Sequence, residues 1–280
     1  MITRRRVYLE LRDDEVPEAS RQLEREGWVV LRRAFSRQEV ERLRADIERV
    51  YAELPADIRG KRDPEENEDF RYEMLNRSAA CQQVVADRRI LDVIEPLLGE
   101  DCHLIANTAW RNPPRARNDH GGGNWHIDAG PHIPRPSGVP WDDRIPYPVF
   151  AIGIHLLLDP CPPDCGPTGV LPRSHRSGQH PPFEQLQDPE LRYDGHDPVL
   201  LTGEPGDVAL FASDLWHRRM PSRGHRGRFF LQLHYGRRDL AQRLRTTRES
   251  HQLSPEALAR ATTPRERSVV GLHRPLFYDG

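Results

Sequence analysis

Lysine, cysteine and long apolar stretches are all scarce in this chain of 280 residues. Lys61 is the only lysine, and we attribute the excess of arginine to a GC-rich genome, so arginine density alone is no evidence for phosphate binding. The formal net charge is only −2. Because a nucleic-acid-binding protein usually carries a strongly basic face, this near balance argues against that class of protein.

Membrane and secretory signals are also missing. No apolar run approaches the ~20 residues that a membrane-spanning helix needs, and the opening segment MITRRRVYLELRDDEVP has no apolar core like that of a signal peptide. Four cysteines are too few for a disulfide scaffold in a chain of this length. We therefore expect a cytoplasmic protein that binds neither a membrane nor a nucleic acid.

Two of the cysteines, Cys161 and Cys165, stand close together in the stretch CPPDC. Such a pair could bind a metal, but structural zinc normally takes four ligands, and no matching cysteine or histidine pair accompanies this one. We interpret the stretch as a plain loop.

Helical patterns dominate the first hundred residues. Ser36 and Glu39 match a capping box, in which each side chain accepts a hydrogen bond from a free backbone N–H group at the start of a helix. Apolar residues then recur at helical spacing until Pro55, and a second amphipathic pattern covers residues 90–97. Just before the first helix, residues 28–31 (WVVL) indicate a short strand.

Strands and turns take over after about residue 101. Short β-branched and aromatic runs, separated by glycine, proline and aspartate, favour a β-sandwich or barrel with helices packed outside it. The predicted strands are 102–110, 123–128, 148–158, 168–171, 198–201, 206–212 and 227–235. Residues 254–261 predict a short helix in the tail.

These patterns predict a mainly β protein with flanking helices, folded as one domain over 1–280. Its expected parts are a helical segment of about 1–100, a β core of about 101–236 and a helical tail, 237–280. Within the core, residues 131–148 (PHIPRPSGVPWDDRIPYP) contain six prolines and no periodicity. An active-site lid and a rigid surface excursion explain this segment equally well.

The stretch GGGNWHIDAG, residues 121–130, places His126 and Asp128 two positions apart. In a strand, residues i and i+2 point to the same face, so both side chains would enter one space. They would supply two ligands of a 2-His-1-carboxylate site, which holds Fe(II) and leaves positions open for substrate and O₂. An isolated pair is more often a histidine hydrogen-bonded near a surface aspartate, so a third ligand has to be found.

His217 is the candidate for that third ligand among 13 histidines. It follows GDVALFASDLW, which reads as a turn, an apolar strand and a second turn that presents the histidine. Arg228 opens the next apolar strand eleven residues later, and strand parity places Phe230, Gln232 and His234 on its face. A guanidinium is costly to bury there without an anion, and a carboxylate suits it because the pair forms two parallel hydrogen bonds.

In four segments the chain resembles the phytanoyl-CoA dioxygenase family of Fe(II)/2-oxoglutarate oxygenases. These are His126-x-Asp128, CGPTGVLPRSH (165–175), GDVALF…LWH (206–217) and Arg228. The segment EREGWVVLRRAFSRQEVERLR, 24–44, is similar to the family's opening strand and helix, and the resemblance covers about residues 20–240. It implies a double-stranded β-helix, a jelly-roll or cupin-like fold, with the metal at one open end.

The resemblance also implies roles for single residues. His126, Asp128 and His217 would be the iron ligands, and Arg228 would bind the distal carboxylate of the co-substrate 2-oxoglutarate. Three further residues are weaker candidates for co-substrate contacts. Asn124 and Thr168 also suit ordinary turns, and Arg226 is a fallback for Arg228.

The other histidines receive less specific interpretations. His175 recurs in the family and is read as a structural or substrate-side residue, and His155, on an apolar strand, as a core histidine. His120, His132, His180, His225 and His234 are not assigned.

The implied reaction oxidises a small-molecule substrate with O₂ and releases succinate and CO₂ from 2-oxoglutarate. Related halogenases carry a small residue where this chain has Asp128, so we expect hydroxylation, desaturation or another oxidation. Trp141, Asp142 and Tyr147 give the 131–148 segment a mixed polar and aromatic character, which favours a small polar metabolite. A natural-product pathway is our hypothesis, and the sequence carries no signal for an oligomeric state.

Two alternative functions stay open. One is a cupin-like metal-dependent isomerase or epimerase that works without 2-oxoglutarate, in which Arg228 would not be needed for co-substrate binding. The other is a non-catalytic jelly-roll binding protein that keeps the metal only as a structural element, so that metal removal would unfold it.

Overall fold

The computed structural model describes residues 3–5, 10–53, 70–114, 123–128, 130–240 and 253–273. It begins with two paired strands, β1 (Thr3–Arg5) and β2 (Glu10–Arg12), followed by helix α1 (Glu18–Glu26) and strand β3 (Trp28–Leu31). Helix α1 ends at Gly27, whose φ of 85° lies in the left-handed region that glycine adopts without steric cost. The strand predicted at 28–31 is confirmed.

Helix α2 (Arg37–Glu53) begins with the predicted capping box. The Ser36 backbone N–H donates to the Glu39 carboxylate (2.7 Å), and the Glu39 backbone N–H donates to the Ser36 hydroxyl (3.3 Å). The apolar face of α2 is buried, with Ile47 fully inaccessible. Its predicted end at Pro55 lies outside the described residues.

A short strand and three helices complete the helical part. They are β4 (Phe70–Tyr72), α3 (Met74–Arg77), α4 (Ala79–Val85) and α5 (Arg88–Leu98), which contains the second predicted helical pattern. The sequence did not predict β4, because three residues are too few to show an alternation of apolar and polar side chains.

Seven strands form the β core. They are β5 (His103–Asn112), β6 (Ala151–Leu157), β7 (Thr168–Val170), β8 (Val199–Leu201), β9 (Val208–Ala212), β10 (His217–Arg219) and β11 (Arg228–Gly236). Six of them match predicted strands, whereas β10 was not predicted.

The strand predicted at 123–128 is wrong: only His126 pairs, as an isolated bridge to His217. The neighbouring backbone groups bond to loops instead, since the Trp125 N–H donates to the Leu186 carbonyl (2.7 Å) and the Asp128 N–H to the Ser213 carbonyl (3.0 Å).

Two antiparallel sheets share one core. The larger sheet has the order β3-β9-β6-β11-β5-β4, and the smaller has the order β10-β7-β8, which the His126 bridge extends beyond β10. Side chains from both sheets, such as Leu201, Leu210 and Leu231, belong to one buried cluster. Each fully buried side chain of this size contributes about 1.5–3 kcal/mol to folding. This arrangement fits the double-stranded β-helix that the sequence predicts.

A second apolar cluster covers the outer face of the smaller sheet. It contains Trp125, Leu171, Leu191 and Trp216 and is closed by the β7–β8 connection, which includes two 3₁₀ turns, Ser174–Arg176 and Phe183–Gln185. Since alternate residues face opposite sides of a strand, Trp216 lies outside this sheet and His217 inside it.

Two helices pack the tail against the helical part: α6 (Pro255–Arg260), where a helix was predicted, and α7 (Pro264–Val269), which was not. The Gln82 amide donates to the Ala257 carbonyl (2.7 Å), and Arg265 donates to the Glu95 carboxylate (2.8 Å). Residues 241–252 of the predicted tail lie outside the described segments. None of the described helices combines the length and the apolar character needed to cross a membrane.

Candidate metal centre

The fold brings His126 and His217 next to each other. Each backbone N–H donates to the other residue's carbonyl at 3.0 Å, and the two imidazole rings lie 4.3 Å apart. Asp128 is placed by its own N–H, which donates to the Ser213 carbonyl. The His126–Asp128 pair therefore reaches one space through a bridge and a loop contact, although no regular strand forms.

Three ligand atoms converge at this point. One donor atom each from His126, Asp128 and His217 lies within 4.8 Å of the others, and no other metal-binding group of this kind occurs in the described segments. The His217 Nε2 atom is 3.5 Å from the nearer Asp128 oxygen. Two imidazoles and one carboxylate are the donor set of a 2-His-1-carboxylate iron site.

Backbone carbonyls fix the orientation of both rings. The Nδ1–H group of His126 donates to the Asn124 carbonyl (2.7 Å), and that of His217 donates to the Leu215 carbonyl (2.8 Å). This assignment leaves the lone pair on each Nε2 atom available to bind a metal. With Nε2 of each ring unprotonated, the site would present two imidazole nitrogens and one carboxylate oxygen to a metal.

The electrostatics of the group follow from burial and from the Asp128 charge. Burial lowers the pKa of His126 to about 4, and the nearby His217 adds to this effect. Burial also works against a charge on His217, but attraction to Asp128 outweighs it and raises the pKa of His217. Burial opposes ionisation of Asp128 as well, yet His217 and His234 hold the pKa of this carboxyl well below its usual value.

A third histidine contacts the carboxylate. His234 Nε2 lies 3.1 Å from Asp128 Oδ2 and 3.2 Å from the Ser213 hydroxyl. The contact to Oδ2 is electrostatic, because the angles leave that oxygen without a hydrogen bond. Strand parity placed His234 on the Arg228 face, but no role could be assigned to it there, since nothing in the local sequence shows that β11 ends beside residue 128.

The three converging residues open into a cavity of about 200 Å³, the inner cavity, between the two sheets. Arg228 lines the same cavity and is buried at the start of β11. Its guanidinium donates to the Thr168 hydroxyl (3.2 Å) and to the Asn112 side-chain oxygen (3.0 Å). Asn112 lies there because it is the β5 residue directly opposite Arg228 in the sheet.

Aromatic rings form the walls of the inner cavity. Phe230 packs under the Arg228 guanidinium at 5.0 Å and stacks parallel to Trp110, with ring centroids 6.2 Å apart. The Trp110 indole N–H donates to Gln232 (2.6 Å), which lies opposite His155 in the sheet. The i, i+2 spacing in GRFFLQLHY is the signal for this wall.

Other candidates are placed as follows. Thr168 lines the inner cavity, whereas the exposed Asn124 side chain is not among the lining residues and contributes its carbonyl to His126 instead. Arg226 is exposed and lies outside the inner cavity.

Two histidines complete this picture. His155 is buried, as expected, but it also lines the inner cavity, and burial together with the Arg228 charge holds its pKa well below the usual value. His175 is structural, because its ring is buried and hydrogen bonds to the Glu24 carbonyl (2.9 Å).

The CPPDC stretch forms the expected loop. Both cysteines are buried as free thiols, with the Cys161 and Cys165 sulfur atoms 3.2 Å apart. They pack against Leu157 and Phe230, behind the wall of the inner cavity.

Both ends of the 131–148 segment are fixed by one residue. Asp214 accepts a hydrogen bond from the His132 backbone N–H (3.2 Å) and another from the Tyr147 hydroxyl (3.1 Å). The His132 ring also contacts the Asp214 carboxylate (2.5 Å). Asp214 therefore anchors both ends of this segment.

Comparisons with known proteins point to one family. The family model described as Phytanoyl-CoA dioxygenase (PhyH) matches residues 23–229. A search of curated protein sequences found no match.

Solved structures with the same fold include enzymes with iron or 2-oxoglutarate bound. EctD from S. alaskensis, solved with 2-oxoglutarate and 5-hydroxyectoine, is 25% identical with a TM-score of 0.63, over 96% of this chain and 94% of that one. HygX from Streptomyces hygroscopicus, solved with nickel and 2-oxoglutarate, is 17% identical with a TM-score of 0.58, over 80% and 88%. SnoN, a non-heme alpha-ketoglutarate-dependent epimerase from nogalamycin biosynthesis, is 14% identical with a TM-score of 0.56, over 79% and 82%.

Proposed function

The chain belongs to the phytanoyl-CoA dioxygenase family, and from that premise we propose that it is an Fe(II)- and 2-oxoglutarate-dependent dioxygenase that oxidises a small metabolite. The observation that carries this proposal is the convergence of His126, Asp128 and His217 within 4.8 Å, in a cavity that Arg228 also lines. Iron and an anionic co-substrate would each find their ligands there.

Different side chains bind the iron and the co-substrate. His126, Asp128 and His217 hold the iron, and the backbone carbonyls behind the two rings keep their Nε2 atoms aimed inward. Arg228 binds the distal carboxylate of 2-oxoglutarate, helped by the Thr168 hydroxyl. When bound, iron and 2-oxoglutarate supply the oxidising power, and the co-substrate is converted to succinate and CO₂.

The residues around the metal ligands shape the inner cavity. The rings of Trp110, Phe211 and Phe230 line the inner cavity and give it an apolar wall. His155 stays uncharged beside Arg228 because its pKa is low, so it does not weaken the attraction for a carboxylate.

Asp128 and the comparisons support the finer part of the proposal. Asp128 would hold the iron at a position where related halogenases carry a small residue, so we propose hydroxylation or another oxidation of a C–H bond. The likeness to EctD, solved with 5-hydroxyectoine, supports a small polar substrate. A natural-product pathway fits the likeness to SnoN, whose own reaction is an epimerisation.

An anaerobic titration tests the proposal. Fe(II) followed by 2-oxoglutarate should produce the visible metal-to-ligand charge-transfer absorption, and admission of air with a panel of polar metabolites should yield succinate. Asp128→Ala and His217→Ala should lose both signals, whereas the exposed His225→Ala should keep them.

Two outcomes would contradict the proposal. Succinate formation that survives either ligand substitution would remove the metal assignment. A product with inverted configuration and no added oxygen would replace oxygenation by epimerisation.

A further inference from the structure

A second cavity lies on the other side of the smaller sheet. It measures about 640 Å³, against about 200 Å³ for the inner cavity, and the two share no lining residue. We call it the outer pocket. Its floor includes Trp216, the residue directly before His217, and its walls come from the 131–148 segment and the β7–β8 connection.

Three arginines line the outer pocket: Arg135, Arg173 and Arg176. Two of them share one internal anion, because Asp143 accepts from Arg176 (2.5 Å) and from Arg173 (3.3 Å). Arg135 is different. All three of its guanidinium nitrogens are buried, and none has a hydrogen-bond partner.

The Arg135 side chain is nevertheless held in place. Its guanidinium lies 5.3 Å from the centroid of the Trp141 ring, its backbone N–H donates to the Gly178 carbonyl (3.2 Å), and its carbonyl accepts from the Gln179 amide. Gly178 allows this approach, because a Cβ atom there would come within 2.8 Å of the Arg135 nitrogen. The chain thus fixes a buried cation, which is costly unless an anion pairs with it.

We propose that the outer pocket is a second binding site, which takes an organic anion with a carboxylate or phosphate group beside a flat apolar part. The guanidinium of Arg135 binds the oxyanion through parallel hydrogen bonds, and Arg176 lines the same pocket with its Nε atom also buried and unpartnered. Trp141, Tyr193 and Trp216 supply ring surfaces for the apolar part.

Charge balance explains why an anion fits. The charged lining residues are three arginines against Asp143 and Asp194, so one positive charge remains uncompensated within the described lining. Asp143 is itself largely exposed, which makes it an internal competitor that an incoming oxyanion displaces from Arg173 and Arg176.

Isothermal titration calorimetry with phenyl phosphate, benzoate and inorganic phosphate tests the site. The full chain is loaded anaerobically with Fe(II) and saturating 2-oxoglutarate, so that the inner cavity is filled, and is also measured without either. We expect saturable binding of phenyl phosphate or benzoate in both states, and tighter binding of phenyl phosphate than of inorganic phosphate. The stronger of the two aromatic probes identifies the oxyanion.

Substitutions give effects of opposite sign. Arg135→Gln should weaken binding at least about tenfold, because it removes the charge and the fork. Asp143→Asn should strengthen binding several-fold, because it removes the internal competitor. Arg192→Gln, an exposed arginine in the same connection that pairs with Asp197 outside the outer pocket, is the matched control and should leave the affinity unchanged.

Three results would overturn the proposal. These are the absence of saturable binding in the wild-type chain, binding that Arg135→Gln and Asp143→Asn both leave unchanged, and binding that 2-oxoglutarate displaces. The last result would move the anion to the inner cavity. None of them bears on the metal assignment, which succinate formation tests separately.

Discussion

The inner cavity and the outer pocket lie on opposite faces of the smaller sheet and are built by different means. Strand residues make most of the inner cavity, and the register between strands determines which side chains meet in it. Connecting segments make the outer pocket, whose parts meet through single hydrogen bonds and a glycine contact. Register is set by the hydrophobic pattern of the sheet, whereas a loop site depends on each contact separately.

The arginines of the two sites show what this difference means. Arg228 is held by Asn112 of the neighbouring strand β5 and by Thr168 of β7 in the smaller sheet, before any ligand arrives. Arg135 is held through its backbone and through Trp141, and its guanidinium nitrogens have no partner. The strands therefore hold the Arg228 guanidinium with hydrogen bonds, whereas the loop leaves the Arg135 guanidinium without one.

Arg228→Gln tests the inner half of this comparison and should have the largest effect. It removes a bidentate ion pair with 2-oxoglutarate, a loss of about 3 kcal/mol, so KM for 2-oxoglutarate should rise roughly 100-fold while phenyl phosphate binding stays unchanged. Succinate formation at varied 2-oxoglutarate measures KM, and calorimetry measures the outer pocket.

Arg226→Gln is the matched variant, since Arg226 is two residues away but exposed and outside the inner cavity. It should change KM by less than about twofold, because an exposed charge contributes little. A larger effect from Arg226 than from Arg228 would reverse the anchor assignment.

The sequence predicts most of the inner cavity because its residues follow strand periodicity. His126 and Asp128 are two apart, Arg228, Phe230, Gln232 and His234 alternate along one strand, and the family pattern supplies His217. Even so, the 123–128 strand is absent, because residues near an irregular bridge bond to loops rather than to a neighbouring strand. Strand parity predicted correctly that His126 and Asp128 enter one space. The cause, however, is the His126–His217 bridge and the Asp128–Ser213 contact rather than a regular strand.

The parts that stay hidden at the sequence level depend on long-range pairing. Asn112 contacts Arg228 across 116 positions, and nothing near Asn112 indicates this register. The outer pocket is less predictable still, since Arg135, Arg176 and Trp216 lie in unrelated segments. In a chain with a single lysine, one more arginine in a proline-rich loop carried no signal.

His234→Asn tests whether the strands also position the metal ligands. His234 contacts the Asp128 carboxylate, and loss of such a supporting group typically lowers metal affinity about 10–100-fold. We expect a weaker Fe(II) affinity in that range, measured by anaerobic titration, with an unchanged free energy of unfolding of the metal-free chain within about 1 kcal/mol.

Ser213→Ala provides the comparison, because the Ser213 hydroxyl contacts the same His234 Nε2 atom that faces Asp128, so this substitution removes one contact of the ring and leaves the ring itself in place. Its effect on Fe(II) affinity should be smaller than that of His234→Asn. Equal Fe(II) affinities of His234→Asn and the unmodified chain would show that Asp128 is positioned by its backbone contact to Ser213 alone.

Tyr147→Phe should have the smallest effect, and it tests how far the 131–148 segment belongs to either site. The substitution removes one buried hydrogen bond to Asp214, which keeps the contacts from His132, so the free energy of unfolding should fall by about 1 kcal/mol. Burial raises the pKa of Tyr147, so the hydroxyl stays protonated near neutral pH and the change should not depend on pH there. Urea unfolding at two pH values measures both quantities.

Tyr147 lines neither cavity, so KM for 2-oxoglutarate should be unchanged. If KM rose as in Arg228→Gln, the segment would be part of the inner cavity, and the two faces of the smaller sheet would form one coupled site.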